Sequence, residues 1–243
     1  MATKLHATSQ AGVVQFASQL SYYTEEYAPG NFTERGDLVG ISVDTLKLIW
    51  QKLGVPEQPI SVVPWARGYR IVQYDQGSVL FSMARTQQRE TKFRWVGPIF
   101  SSTHVVVAKS SRNIKVESFE GLFGFRAAAL RNDIGEVSMR NASFPSRNLV
   151  QVADLKQAYF MLRSDRVDLI VITRFALKHI LDKYQESLDE YQIVWQISRV
   201  ENYFAFHKDT PDIFINTFQQ AFDSTVVERT AIKRRYKLPD EEF

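Results

Sequence analysis

The sequence predicts an α/β fold. Short apolar runs of strand character alternate along the chain with stretches whose apolar residues recur at helical spacing, and short connections join them. Such alternation favours mostly parallel sheets with helices on both faces, and these sheets place ligand sites beyond the carboxyl ends of their strands. The 243 residues allow one large domain or two smaller ones with cores of their own. No repeat, low-complexity tract or Pro/Gly-rich linker interrupts the pattern.

Strand candidates fall at 13–22, 60–63, 79–83, 104–108, 126–130, 149–152, 168–172, 192–197 and 203–206. The helices read more clearly. Leu46, Ile49, Trp50 and Leu53 form one stripe, and Gly54 follows in the position that favours a left-handed C-terminal cap. Leu155, Ala158, Tyr159 and Leu162 repeat the stripe after Asp154, a residue suited to capping. Thr210 reads as an N-cap with Pro211 in the first turn, and Phe214, Phe218 and Phe222 then line one face. These stripes are core positions.

Several functions are excluded or disfavoured by composition. Net charge is +3, from 30 basic and 27 acidic residues, too small and too dispersed for a nucleic-acid surface. The densest basic run, Lys233 to Lys237, ends a predicted helix, where cations suit the macrodipole. The chain has no cysteine, so disulfides, thiolate metal sites and cysteine catalysis are ruled out. His6, His104, His179 and His207 lie far apart without metal-ligand spacing and read as surface or packed residues. There is no G-x-S-x-G elbow or Walker loop, and Gly121 and Gly124 are too few glycines for a dinucleotide fingerprint. No cofactor or metal is expected. No apolar stretch approaches the ~18 residues that a membrane helix requires. Met1–Ala7 carries Lys4 but no apolar run and does not read as a signal peptide.

The segment Gly77–Glu90, carrying Ser82, Thr86 and Arg89, is followed by Phe93–Phe100, which ends in Pro98-Ile99-Phe100. Together they resemble the signature of the bacterial extracellular solute-binding proteins of family 3, the amino-acid-binding components of ABC importers. In that family a strand leads into Thr-x-x-Arg, and a Phe-Ser-x-Pro-Tyr-like stretch then enters the hinge. Thr86 and Arg89 match the first pattern and Pro98-Ile99-Phe100 the second. A guanidinium presents a planar fork that pairs with a carboxylate in two places, so the resemblance assigns Arg89 a ligand carboxylate. The alternative is an ion pair with Glu90 or another surface acid. Gly36–Asp44, Arg166–Val171, Tyr203–Lys208 and Thr230–Tyr236 resemble further family stretches in family order, so the likeness spans roughly residues 14–238. Pro64–Tyr69 resembles a stretch of a less characterised branch. There Trp65 and Tyr69, four apart, form either an aromatic wall for the ligand or lobe packing, and Arg67 lies between them.

The chain departs from the family at two places. Amino-acid binders usually hold the ligand ammonium with an Asp just after the second lobe's central strand, and counting from Asp168 that position is Thr173, followed by Arg174. A family Gly-Thr turn that holds the carboxylate corresponds here to Arg131-Asn132-Asp133. Asp133 repels a carboxylate but suits a helix N-cap, and Arg131 is the alternative anion donor. Glu25 lies near a first-strand position where the family often places an acidic contact. Unless Glu25 or Asp133 supplies the missing charge, common L-amino acids are expected to bind weakly and organic acids comparatively better.

The resemblance implies a two-lobed periplasmic-binding fold of class II type, with residues 1–99 plus 204–243 as lobe 1, 104–199 as lobe 2, and hinge strands at 99–103 and 199–203. It implies closure on a small polar ligand without catalysis, a monomer in the periplasm whose signal peptide lies outside this sequence, and an ABC permease as partner. A sensor domain feeding a signalling partner is the alternative within binding. An enzyme is the alternative outside it, since a cyclohexadienyl dehydratase shares the fold. For that chemistry Glu25, Asp133 and Glu201 are the candidate acids.

Overall fold

A computed structural model describes residues 10–242; the readings on Met1–Ala7 and His6 lie outside the described residues. In chain order the elements begin α1 (Gln10–Ser18), β1 (Ser21–Thr24), β2 (Phe32–Glu34), β3 (Asp37–Val39), α2 (Ile41–Leu53) and β4 (Ile60–Val62). They continue with α3 (Trp65–Tyr74), β5 (Ser78–Ala84), β6 (Phe93–Lys109), β7 (Ala127–Leu130), α4 (Ile134–Asn141) and β8 (Leu149–Val152). The remainder are α5 (Leu155–Arg163), β9 (Leu169–Thr173), α6 (Arg174–Tyr184), β10 (Tyr191–His207), α7 (Asp212–Asp223) and α8 (Val226–Arg235). Short 3₁₀ turns fill several connections.

The fold is mixed α/β, as predicted, and divides into two compact units. Unit 1 takes in the chain up to Val63, Arg67–Ser101 and the chain from Glu201 on; unit 2 takes in Pro64–Ala66 and Ser102–Val200. Strands β6 and β10, each of 17 residues, carry the chain from one unit to the other.

Unit 1 orders its strands β4-β1-β5-β10. Strand β1 pairs parallel with β4 and β5, and the last part of β10 runs antiparallel to β5. All seven residues of β5 are buried, as a strand covered on both faces requires. The Phe stripe of α7 delivers the core: Phe214 and Phe218 are fully buried, and Phe206 lies 5.3 Å from Phe218, edge to face. On α2, Gly54 adopts φ 69° and closes the helix in the left-handed region. Trp50 meets Tyr22 edge-on at 4.8 Å, and burial pushes the Tyr22 hydroxyl pKa up. Between β1 and α2 the hairpin β2–β3 turns at Arg35-Gly36, both with positive φ, the geometry of a two-residue primed turn. Gly40 then starts α2 at φ 128°, where any Cβ would stand 2.5 Å from the Gly30 carbonyl.

Unit 2 orders its strands β6-β9-β7-β8, with β7 parallel to both neighbours and β9 antiparallel to β6. One face is a core of Val106, Ala108, Ala127, Ala129, Met139, Phe144, Leu169 and Val171. Gly135 lets α4 press onto that face, since a Cβ there would lie 2.5 Å from Val171 Cγ1. Helix α5 is capped by Asp154, whose carboxylate accepts from the Gln157 N–H at 2.7 Å.

Three sequence readings need correction. Residues 13–20 are not strand: Val13 and Ala17 are buried on one face of α1, which occupies Gln10–Ser18, and β1 starts only at Ser21. Pro211, not Thr210, takes the N-cap position of α7. The runs at 192–197 and 203–206 are parts of one strand, β10.

Candidate functional site

The site residues of unit 1 gather where β1 and β5 end. Parallel strands leave their terminal groups pointing into the space beyond the sheet, the usual ligand position in such folds. Arg89 is only 5% exposed, which is unusual for a cation. Its backbone N–H closes a turn onto the Thr86 carbonyl at 2.9 Å, its Nη1 donates to the Ala84 carbonyl at 3.2 Å, and its guanidinium lies 5.1 Å from the Tyr69 ring centroid. The Glu90 carboxylate accepts from Arg85 Nε at 2.8 Å and Nη2 at 2.5 Å, which holds its pKa below the ordinary value. Tyr69 thus serves Arg89, and Thr86 shapes the turn that carries it.

Ser82 of the motif is held by a local network. A β-bulge sets Phe81 and Ser82 of β5 opposite Phe204 of β10, and Ser82 adopts φ 61°. Its hydroxyl is thereby aimed at the Asn31 side chain and lies 2.7 Å from the Ser42 hydroxyl. Asn31 Nδ2 in turn donates to the Glu25 carbonyl at 2.6 Å. This buried network anchors the segment after β1. Glu25 is 9% exposed, and the neighbouring Thr24 hydroxyl is buried without a hydrogen-bond partner. Arg67 is exposed on α3.

In unit 2 the polar residues lie where β7 and β9 end and β6 enters the unit. Asn132, at φ 60°, makes the turn from β7 into α4. Its carbonyl accepts from Trp65 Nε1 at 3.0 Å, and its N–H donates to Glu136 at 3.1 Å. Glu136, 2% exposed, also accepts from Gln151 at 2.7 Å and from Arg140, so this buried carboxylate is fully engaged in holding the turn. Asp133 occupies the N-cap position of α4, but its side chain makes no capping bond. Instead its Oδ2 lies 3.6 Å from His104 Nε2. His104 of β6 stands directly opposite Thr173 of β9. Both are buried, and His104 Nδ1 and Thr173 Oγ1 have no hydrogen-bond partner. Arg131 is exposed, and Arg174 is an exposed donor to Gln196 at 3.3 Å.

The structure therefore brings Thr86 and Arg89 together in unit 1 and Asp133 and Thr173 together in unit 2, while Arg67 and Arg131 stay on the surface. His104 is packed, as one of the two sequence readings had it, and Thr24 was not singled out. The available signal for His104 was a polar residue opening the apolar run Val105–Ala108. Among the described residues no group of three His, Asp or Glu side chains could hold a metal ion.

Comparison with solved structures finds the same fold at low identity. A substrate-binding protein of an ABC uptake transporter from Streptococcus pneumoniae with bound histidine superposes with a TM-score of 0.82 at 16% identity, over 94% of this chain and 96% of that one. An ancestral arginine-binding protein bound to arginine gives 0.79 at 19% identity, over 90% and 98%. A histidine kinase sensor domain with similarity to periplasmic binding proteins gives 0.80 at 15%, over 91% and 97%. No curated protein matches the sequence. At these identities the likenesses establish a two-lobed binding-protein fold and no more. The sequence model of one family matches residues 21–237, nearly the whole described chain, and this chain belongs to the bacterial extracellular solute-binding proteins, family 3.

Proposed function

We propose that this protein works in the periplasm as the solute-binding component of an ABC importer, capturing a small polar, carboxylate-bearing ligand of amino-acid type. The observation that carries this reading is Arg89, a guanidinium held at 5% exposure on the Tyr69 ring at the carboxyl end of β5. A cation so placed is matched to a ligand carboxylate, and a charge-assisted pair in such a setting fixes orientation as well as affinity. Family membership and the histidine- and arginine-bound neighbours support an amino-acid-like ligand. Family membership supports a ligand-linked change of state. The ligand selects one state of the protein by binding it more tightly, and the permease reads that state. The protein performs no chemistry on its ligand.

The histidine kinase sensor domain among the neighbours favours a second reading, in which the same capture feeds a signalling partner. Mass spectrometry of the small molecule released when the purified protein is denatured tests the binding reading. An amino acid or related carboxylate in near one-to-one amount is expected. Release of a nucleotide, a sugar or a lipid in that amount would overturn it.

A further inference from the structure

We propose that the open edge of β10 in unit 2 is a dimer interface, where a second copy of this chain adds its own β10 antiparallel across a two-fold axis. The dimer replaces the monomer that the resemblance implies.

Residues 191–200 of β10 belong to unit 2. Strand β10 has two neighbours in the sheet, β5 and β6, and its pairing with β5 covers only Asn202–Phe206. Residues 191–200 therefore have β6 on one side and no strand on the other. Among the described residues no turn or loop bonds to the main-chain groups of 192–199 in its place. The resulting row of unpaired N–H and C=O groups is a template for another strand, and proteins usually blunt such an edge with Lys, Pro or an inward charge. Here Tyr191–Ser198 reads Tyr-Gln-Ile-Val-Trp-Gln-Ile-Ser, a run of strand-forming character without a charge or a proline. Every residue from Gln192 to Val200 is half-buried or exposed. Leu188 at 55% and Ile193 at 41% are the exposed large apolar side chains among the described residues of unit 2, and both lie here.

Charge selects the second copy as the occupant. Asp189 and Glu190 precede the uncharged run and Arg199 follows it. Two copies running in opposite directions lay the acids of each beside the arginine of the other. Paired residues share a face of the sheet, so the two-fold axis passes through a residue. With the axis at Val194, Ile193 of each copy meets Trp195 of the other, Gln192 meets Gln196, and Asp189 meets Arg199. Each edge is then consumed by its own copy, and assembly closes at two chains.

Sedimentation velocity of the ligand-free protein from about 1 μM to 1 mM tests the interface. Particles of two chains are expected at the upper end of that range. Ile193→Lys places a cation on the edge and is expected to weaken association about tenfold or more. Arg199→Glu sets like charges opposite one another and is expected to weaken it about tenfold, and adding Asp189→Arg to that variant restores it. A merely structural Arg199 would not be rescued by the swap, and that result would count against the interface. One chain throughout the range overturns the dimer and leaves the edge to another partner. A dimer indifferent to Ile193→Lys or to Arg199→Glu places the contact elsewhere and overturns it as well. Growth beyond two chains overturns the closed two-fold arrangement.

Discussion

Replacing Arg89 with Met isolates the guanidinium from its stem. Arg89 is 5% exposed, donates to the Ala84 carbonyl and lies on the Tyr69 ring, and an unbranched Met keeps the apolar part of that packing. In the ligand-free protein the change loses a cation–π contact of about 0.5–2 kcal/mol and a charged hydrogen bond of about 1.5–3 kcal/mol. It also removes the several kcal/mol that burying a cation costs, which offsets part of that loss. Binding is different, because a ligand carboxylate would lose its partner at a cost of about 2–5 kcal/mol, about 30-fold or more in Kd. At a ligand concentration of about 1,000 times the native Kd, ligand stabilises the native protein by about 4 kcal/mol; for the variant this falls to about 2 kcal/mol or less. Thermal denaturation with and without the stabilising amino acid reads both quantities. A variant whose ligand-induced shift equals that of the native protein would refute the assignment of Arg89 to the ligand.

Other perturbations follow from the same structure. Glu136→Ala strips the Asn132 N–H, Gln151 and Arg140 of a shared buried acceptor and is expected to destabilise by about 3–5 kcal/mol in chemical denaturation; a loss below about 1 kcal/mol would contradict its role in holding the turn. Phe218→Ala, at the centre of the α7 aromatic cluster, is expected to cost about 3–5 kcal/mol by the same measurement, and a near-neutral effect would contradict its placement in the core. Lys233 is lowered to a pKa of about 8 by burial and by the nearby Arg229. The unfolded chain, with the ordinary lysine value of 10.5, therefore binds more protons between about pH 8 and 10.5, and folding stability contributed by this group rises with pH through that window. Lys233→Met should accordingly raise the melting temperature at pH 7, with a gain that shrinks by pH 10; an equal gain at both values would refute the assigned protonation.

Those elements that carry a helical stripe and a terminal signal together were legible in the sequence. Helix α2 with Gly54 and α5 with Asp154 stand where the periodicity and caps put them. Helix α1 was not, because a short apolar run such as residues 13–17 has no periodicity that separates helix from strand. The hairpin β2–β3 escaped because its strands have three residues each and leave most of them outside the core, so no alternation develops. Thr-x-x-Arg marked Arg89, but its burial on Tyr69 depends on packing between β5 and α3, which spacing does not encode. The motif marked Ser82, but the bulge in β5 and the Asn31 network that its hydroxyl joins are not encoded in spacing. His104 read as an ordinary packed histidine, because its pairing with Thr173 and its approach to Asp133 join residues far apart in the chain.

Calorimetric titration of the ligand-stripped protein with the common L-amino acids tests the central claim most directly, since one trace reports both binding and turnover. The account predicts that at least one amino acid saturates at one molecule per chain, with each injection's heat returning to the starting baseline because the ligand is not consumed. A sustained heat flow after injection would reveal catalysis and contradict the account, as would the absence of saturable heat across the whole set.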